Sequence, residues 1–252
     1  MTTRFHSDET GARSDKKYVS CVACVAYELD QCRAFSEATT DRVRPSLPLL
    51  QPAEYTAPAR RKICHERDWH ETVSFICQGW AASSVRLADG RRQILSFLLP
   101  GDIVSATLLF EPTSHCMIET ITEVRYRNFK RAELQKILFE HPDLIQPLSK
   151  TWIGEKLRAD QLAIDLGRRT AHERIARLIL NLMERLAARG MMRGETMDFP
   201  LRQTHIADAT GLTPVHVSTV LTEFRRNGLV GISERSITIL NLGELRRAAN
   251  ER

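Results

Sequence analysis

Residues 203–222, which read QTHIADATGLTPVHVSTVLT, constrain the fold more than any other stretch of this sequence. Small and apolar residues precede Gly211, and glycine ends a helix readily because it enters the left-handed backbone region without steric cost. Thr213 and Pro214 then suit the N-cap and the first position of a second helix. Two short helices joined in this way are typical of a helix-turn-helix, which places its second helix in the major groove of DNA.

The second helix is predicted to have one apolar and one polar face. The apolar positions recur at helical spacing and are Val217, Val220, Leu221 and Phe224. Hydrogen-bonding groups and methyl groups that can read base edges come from Val215, His216, Ser218, Thr219 and Thr222. Contacts to DNA phosphates are expected from Gln203, Thr213, Arg225, Arg226, Arg235 and Ser236.

Two β-branched runs, 229–232 and 236–240, come after this unit and are separated by a hairpin-like turn. They predict a small wing beside the two helices. The alternative, a pair of core helices in an ordinary helical domain, does not account for this wing.

Charge is distributed unevenly along the chain. The formal net charge is +5, and from Arg168 onward the sequence holds 14 arginines and no lysine against nine acidic residues. The preceding 167 residues are neutral, with 22 basic and 22 acidic residues. The basic excess therefore coincides with the predicted DNA-reading unit, as phosphate binding requires.

The chain shows no targeting or membrane signal. No apolar run approaches the roughly 20 residues of a membrane span, and residues 1–17 lack the apolar core of a signal peptide. We therefore expect a cytoplasmic protein. In that compartment the six cysteines are more readily thiols or metal ligands than disulfides.

Short strands dominate the region between Tyr55 and Arg127. The dipeptide Asp89-Gly90 predicts a hairpin turn, and Pro100-Gly101-Asp102 a further turn. We also predict that the last two strands of the region form a hairpin with each other. The predicted strands are 72–77, 81–87, 92–98, 117–121 and 124–129. This spacing indicates a small antiparallel barrel or roll.

Helical patterns come after the roll, over 131–140, 144–166 and 171–189. The long middle helix has a narrow apolar seam that is interrupted at Glu155–Lys156, and this seam most simply pairs with its twin in a symmetric dimer. Packing of the seam against the chain's own roll is the alternative. The seam residues are Leu148, Trp152, Ala159, Leu162 and Leu166.

Three cysteines near the N-terminus, Cys21, Cys24 and Cys32, are separated by two and by seven residues. Such spacing allows three thiolates to reach one metal ion or cluster, for which a fourth ligand is needed. The candidates for that ligand are Cys64, Cys77 and Cys116.

An enzyme is the main rival class, in the form of a cupin-like barrel with an accessory helical domain. His65 and His70 are five residues apart, and therefore do not share a helix face as the paired histidines of a zinc hydrolase do. We interpret both as surface residues. The roll also lacks the paired histidines and carboxylate of a metal-binding oxygenase barrel, which disfavours an enzyme.

A roll, a long helix and a winged helix-turn-helix, in that order, resemble the Crp/Fnr family of bacterial transcription regulators. The residues that carry the resemblance are Gly79, Asp89-Gly90, Gly101-Asp102, Ala171-His172-Glu173-Arg174, Gly211-Leu212-Thr213 and Val217-Ser218. The resemblance implies an α+β protein with a cysteine-bearing segment (1–54), a cyclic-nucleotide-binding-like β-roll (55–140), a dimerisation helix (141–169) and a winged helix-turn-helix domain (170–252). It further implies a homodimer that binds a two-fold symmetric site in double-stranded DNA, with RNA polymerase as a partner.

The sequence departs from the family pattern where cyclic AMP is bound and where bases are read. Members that bind cyclic AMP carry a Gly-Glu pair and an arginine, whereas 103–110 holds neither an acidic residue nor an arginine, so cyclic AMP is not expected. Family recognition helices usually present a glutamate and an arginine four residues apart, where this chain has Val215 and Thr219. A different operator is therefore predicted.

The N-terminal cysteines resemble those of the oxygen-sensing Fnr branch, which holds a [4Fe–4S] cluster. The resemblance implies ligation by Cys21, Cys24 and Cys32. Arg125 stands where that branch has its fourth ligand, so Cys116 on the preceding strand is the first choice for it. A redox- or oxygen-responsive regulator is the favoured function. A thiol switch, zinc, another small-molecule signal, or a DNA-binding scaffold without a ligand are the alternatives.

Overall fold

The computed structural model describes residues 53–140, 142 and 145–250, without the side chains of residues 106, 146–148 and 150. The three N-terminal cysteines lie outside the described residues. The roll is built from β1 (Ala53–Ala57), β2 (Lys62–Cys64), β3 (Thr72–Gln78), β4 (Ala81–Arg86), β5 (Arg92–Leu98), β6 (Met117–Thr120) and β7 (Val124–Lys130). They form two antiparallel sheets with the strand orders β1-β7-β3 and β2-β6-β4-β5.

The predicted hairpin between the last two strands of the roll is wrong. Strand β6 pairs with β2 and β4, whereas β7 pairs with β1 and β3 in the other sheet. The chain crosses between the sheets around Trp80, whose carbonyl accepts hydrogen bonds from the amides of Ile121 and Thr122. Gly79 permits the crossing, because a Cβ there would lie 2.0 Å from the carbonyl oxygen of Glu123.

Strands β4 and β5 contribute to two hydrophobic cores. Ala81 and Leu98 pack inside the roll with residues of β3, β6 and β7. Ala82, Ile94 and Phe97 face the other way and share a core with helices of the C-terminal half of the chain. The strands are therefore buried on both faces, which joins the roll to the C-terminal half.

Three helices come after the roll, namely α1 (Arg131–Glu140), α2 (Ile145–Arg168) and α3 (Ala171–Ala187). Helix α3 begins with a capping box in which Thr170 and Glu173 bond each other's backbone amides. Among the described residues, no helix is both long enough and apolar enough to cross a membrane.

The predicted seam of α2 is partly covered by the chain itself. Trp152 packs edge-on against Phe110 of the roll, with 5.3 Å between ring centroids. Leu162 and Leu166 are half-buried and line a cavity that also borders α3, whereas Ala159 is exposed. The side chain of Leu148 is not among those described. Pairing through this seam stays a prediction.

A different row of apolar side chains is the most exposed on α2. Ile153, Leu157 and Ile164 are 57%, 62% and 50% exposed. They are four and seven residues apart, which is the spacing of a coiled-coil seam. This row, called here the outer row of α2, lies on another side of the helix from Trp152 and Leu162.

Glu155 does not interrupt the outer row. It is half-buried, and Arg158, Asp102 and Arg185 act on its charge. Burial raises the pKa of its carboxyl to about 7, against the opposing effect of Arg158. Lys156, by contrast, is exposed and pairs with Asp160. The two residues of the predicted interruption therefore face different surroundings.

The C-terminal unit contains β8 (Met192–Arg193), β9 (Thr196–Asp198), α4 (Gln203–Thr210), α5 (Pro214–Arg226), β10 (Val230–Ile232), β11 (Ser236–Ile239) and α6 (Leu242–Ala248). The predicted wing is present as β10 and β11, but it belongs to a four-stranded sheet of order β10-β11-β9-β8. Strands β8 and β9 and helix α6 were not predicted from the sequence. Leu245 of α6 is fully buried in the core that contains α3.

Two sets of ion pairs connect the roll to the C-terminal half of the chain. Asp102 accepts hydrogen bonds of 2.6 Å from Arg185 and from Arg189, at the end of α3 and just beyond it. Burial by itself opposes ionisation of Asp102, but the two guanidinium groups outweigh it and lower the pKa of the carboxyl. The second set joins Arg92 of β5 to Asp208 of α4 at 2.7 Å.

Replacing Asp102 with Asn should destabilise the protein by about 3–5 kcal/mol, because two buried guanidinium groups lose their counter-charge. The folded-state pKa of Asp102 lies below its ordinary value of 3.8, so this contribution is fully present above that pH and is lost as the pH falls through the folded-state value. Urea unfolding followed by circular dichroism measures the change. Asp89→Asn, in the exposed turn of the same roll, should leave the midpoint nearly unchanged, and equal midpoints for the two variants would contradict this assignment.

Candidate nucleic-acid interface

The turn between α4 and α5 has a backbone conformation that favours glycine. Gly211 has φ +66° and its amide donates to the carbonyl of Ala207, which ends α4. A Cβ at this position would lie 3.0 Å from Cδ2 of Leu166 and 3.5 Å from a guanidinium nitrogen of Arg174. Both the backbone conformation and the close approach of α2 and α3 therefore select glycine.

Helix α5 begins and packs as its sequence predicts. The Thr213 side chain accepts a hydrogen bond of 3.2 Å from the amide of His216, and Pro214 occupies the first turn. The four predicted apolar positions, Val217, Val220, Leu221 and Phe224, are all buried in the core shared with α3. The opposite face of α5 is consequently directed away from the chain.

Arg174 of α3 holds the two-helix unit in place, a role that was not predicted from the sequence. Its guanidinium donates to the carbonyls of Arg169, Leu166 and Thr210 at 2.9–3.1 Å. These carbonyls belong to the α2–α3 junction, the end of α2 and the end of α4. The only sequence signal was its place in the family-like stretch Ala171-His172-Glu173-Arg174.

The predicted base-reading residues share the uncovered face of α5. Val215 is 75% exposed. His216, Thr219 and Thr222 are exposed, and Ser218 is half-buried. The predicted phosphate contacts on this helix, Arg225 and Arg226, are exposed at its C-terminal end. The structure therefore brings together on one face all the predicted contacts of α5, and their binding to DNA stays a prediction.

The remaining predicted contacts flank α5. Gln203 and Thr213 are exposed at the starts of α4 and α5. Arg235 is exposed in the wing turn, and the hydroxyl of Ser236 lies 2.6 Å from that of Ser233. Arg202, which the prediction omitted, is exposed beside Gln203 and adds a cation at the start of α4.

Thr219 and His205 each use one hydrogen-bonding group within the protein, which limits the groups that they can offer to DNA. The hydroxyl of Thr219 donates to the carbonyl of Val215 at 3.1 Å, which leaves its methyl group and its oxygen lone pairs for a base edge. His205 accepts from the amide of Arg202 through Nδ1. Burial, with the nearby Arg92 and Arg202, lowers the pKa of His205 and so favours its neutral form.

The described cysteines lie in the roll. Cys116 is half-buried just before β6, close to the buried Cys64, whose Sγ is 4.0 Å from the Cys116 carbonyl. Burial raises the pKa of Cys64 to about 11, so without a bound metal it remains a thiol at neutral pH. Cys77 is half-buried. Within the described residues no three metal-binding side chains cluster, and the assignment of Cys116 as a fourth ligand stays a prediction.

The interpretation of His65 and His70 as surface residues is correct for the first and wrong for the second. His65 is exposed. His70 is half-buried, with Nε2 3.2 Å from Sγ of Cys64. The backbone of His70 bonds distant parts of the roll, since its amide donates to the carbonyl of Pro112 at 2.9 Å and its carbonyl accepts from Arg131 at 2.7 Å.

The segment that would bind a cyclic nucleotide is apolar and mostly packed. Ile103, Val104, Leu108 and Leu109 are buried in the core of the roll, the last two within a short 3₁₀ helix. The prediction that cyclic AMP is not a ligand rests on the residue types of this segment, and it stays a prediction.

Comparisons with known proteins agree with this arrangement. Residues 56–141 match the model of a cyclic nucleotide-binding domain, and residues 173–248 match that of a Crp-like helix-turn-helix domain. The chain is 33% identical over 174 residues to the nitrogen fixation regulation protein FixK of Bradyrhizobium diazoefficiens, which covers 68% of the chain and 71% of that protein. It is 27% identical over 201 residues to the transcriptional activator protein FnrL of Cereibacter sphaeroides, at 77% and 79% coverage.

A solved structure gives the same result. FixK2 from Bradyrhizobium japonicum superimposes with a TM-score of 0.72 at 30% sequence identity, and covers 79% of this chain and 98% of that one. The relatives are transcription regulators, which disagrees with the alternative of a cupin-like enzyme.

Thr219→Ala should relax the preference for one base pair by roughly fivefold, or about 1 kcal/mol, because it removes a methyl contact and an acceptor. Arg226→Ala should weaken binding to all sequences and lower the salt slope by about 1, because it removes a phosphate contact. Binding to a randomised duplex library at several salt concentrations measures both. Lys136→Ala, exposed on α1, is the control, and equal losses on every sequence for both variants would show that the base-reading face is misassigned.

Proposed function

The chain belongs to the Crp/Fnr family of DNA-binding transcription regulators, and we propose that it acts as a homodimer on a two-fold symmetric promoter site. The observation that carries the proposal is the outer row of α2. Three large apolar side chains, Ile153, Leu157 and Ile164, are at least half exposed on a helix of 24 residues. Such a row at coiled-coil spacing is stabilised when a second copy of the same helix covers it.

The exposed polar face of α5 supports the same proposal. One recognition helix per subunit places two of them on one DNA molecule, and a two-fold axis along the paired α2 helices would set them about 34 Å apart, one turn of DNA. The polar pair of Lys156 and Asp160 next to the outer row can fix the register of the two helices, as polar residues in a coiled-coil seam do. RNA polymerase is the expected protein partner, since regulators such as FnrL activate transcription.

Ile153→Glu should weaken self-association at least tenfold, because it places a charge in the apolar row. Sedimentation velocity over a concentration series measures the change. Leu87→Glu is the matched control, since Leu87 is similarly exposed at the end of a roll hairpin. Ala159→Glu tests the seam predicted from the sequence. A monomeric wild type, or dissociation by Ala159→Glu but not by Ile153→Glu, would contradict the outer row as the interface.

We further propose that the protein responds to oxygen or redox state through its cysteines. The support is the spacing of Cys21, Cys24 and Cys32 and the half-buried position of Cys116 at the edge of the roll. Their thiolates have the donor chemistry of an iron–sulfur cluster, which would supply oxygen sensitivity when bound. Cys64 and Cys77 are the other candidates for the fourth ligand, and Cys64 is the more deeply buried of the two.

Protein purified without oxygen should contain iron and sulfide and absorb broadly in the visible range, and Cys24→Ser and Cys116→Ser should each abolish the absorbance. Cys77→Ser is the control and should retain it. Metal and sulfide analysis accompanies the spectra. A colourless wild type without iron would exclude the cluster, and reversible loss of DNA binding on oxidation of that protein would instead identify a thiol switch.

A further inference from the structure

A cavity of about 300 Å³ lies where the roll meets α2, α3 and α4. This volume is at the lower end of the range for sites that bind small molecules. Part of its wall is apolar and comes from three different elements. These side chains are Phe97 of β5, Leu157 and Leu162 of α2, and Leu178 and Leu182 of α3.

The polar part of the wall is rich in arginine. Arg174 is already bonded to three carbonyls, and Arg177 pairs with Asp165 at 3.1 Å. Arg158 of α2 and Arg185 of α3 also line the cavity. Two acidic residues also line the cavity, Asp165 and Glu184. Asp165 pairs with both Arg169 and Arg177, and Glu184 lies 3.9 Å from Arg246.

Among the described residues, Arg185 is incompletely partnered, although its guanidinium also donates to the carbonyl of Phe97 at 2.9 Å. It shares the single carboxylate of Asp102 with Arg189, and its Nε is buried without a hydrogen-bond partner among the described residues. Burial, together with the like charges of Arg189 and Arg158, lowers the pKa of Arg185 to about 10 against the opposing effect of Asp102. The single negative charge of Asp102 offsets only part of the repulsion among the guanidinium groups of Arg158, Arg185 and Arg189.

Glu155 supplies only part of the missing negative charge. Its carboxyl is close enough for Arg158, Asp102 and Arg185 to affect its ionisation, yet its pKa of about 7 leaves it roughly half protonated at neutral pH. An added anion beside Arg158 and Arg185 would therefore be favourable. The limited excess of positive charge and the apolar wall favour a monoanion over a phosphate dianion, whose desolvation costs more.

We propose that this cavity binds a small organic carboxylate, with its carboxylate beside Arg158 and Arg185 and its apolar chain against the leucines of α2 and α3. The bound molecule would touch β5, α2, α3 and α4 together. It would therefore stabilise one placement of the two-helix unit relative to the roll. Leu157 lines the cavity and also belongs to the outer row of α2, so the two proposals share this residue, whereas neither depends on a cluster.

The probe is sodium octanoate, titrated calorimetrically into the full-length protein. Octanoate should bind at one site per chain, and 1-octanol and inorganic phosphate should each bind at least tenfold more weakly, because each lacks one of the two groups that the cavity recognises. Arg158→Gln should weaken octanoate at least tenfold and Arg158→Lys should retain most of the affinity. Arg168→Gln, an exposed arginine at the end of the same helix, is the control and should match the wild type.

Four results would overturn the proposal. They are the absence of saturable octanoate binding, equal affinity for octanol, equal affinity for phosphate, and unchanged affinity of a folded Arg158→Gln variant. Circular dichroism and thermal unfolding establish that each variant is folded. DNA binding of the wild type is measured with and without octanoate. A DNA-binding regulator should bind DNA in both cases, whether or not the cavity takes octanoate, so failure of this site can be distinguished from failure of the regulator assignment.

Discussion

Asp102 is a buried carboxylate held between two guanidinium groups of another part of the chain, and much of the architecture depends on it. Gly101, with φ +96°, turns the chain so that this side chain faces α3. Removing a carboxylate from water is costly, and the hydrogen bonds from Arg185 and Arg189 at 2.6 Å offset that cost. Separation of the roll from α3 would break both ion pairs of Asp102 at once. The position of α3 relative to the roll is thus set by electrostatics as well as by the apolar core beneath it.

Contacts with α3 set the position of the DNA-reading unit. Arg174 bonds the ends of α2 and α4, and Gly211 allows α4 to end within contact distance of Leu166. The apolar face of α5 is buried on α3, and burial of that face is what directs the polar face outward. The ion pair between Arg92 and Asp208 adds a second connection between the roll and α4. The roll is therefore joined directly to α3 through Asp102 and to α4 through Arg92, and α5 packs against both of these helices.

Helix α2 borders both of the proposed binding surfaces. Its inner side presents Trp152 to the roll, and Arg158 and Leu162 to the cavity beside α3. Its outer side exposes Ile153, Leu157 and Ile164, which we propose are covered by a second copy of the chain, and Leu157 also lines the cavity. Since one rigid helix carries both sides, a molecule that shifts α2 from within would also shift the paired helix. Such coupling gives a physical route from a ligand to the spacing of two recognition helices.

Much of the fold and of the candidate site can be predicted from the sequence alone, because these features depend on neighbouring residues. The helix-turn-helix, the face of α3 and strands β3 to β5 arise from periodicity, capping residues and turn residues within short stretches. The partners of β6 and β7, the added strands β8 and β9, and the inner and outer sides of α2 could not be predicted in this way. Periodicity defines the faces of a helix or strand but does not specify what covers them. The pairs of Asp102 with Arg185 and Arg189 span 83 and 87 residues, and only packing of the roll against α3 brings these charges together.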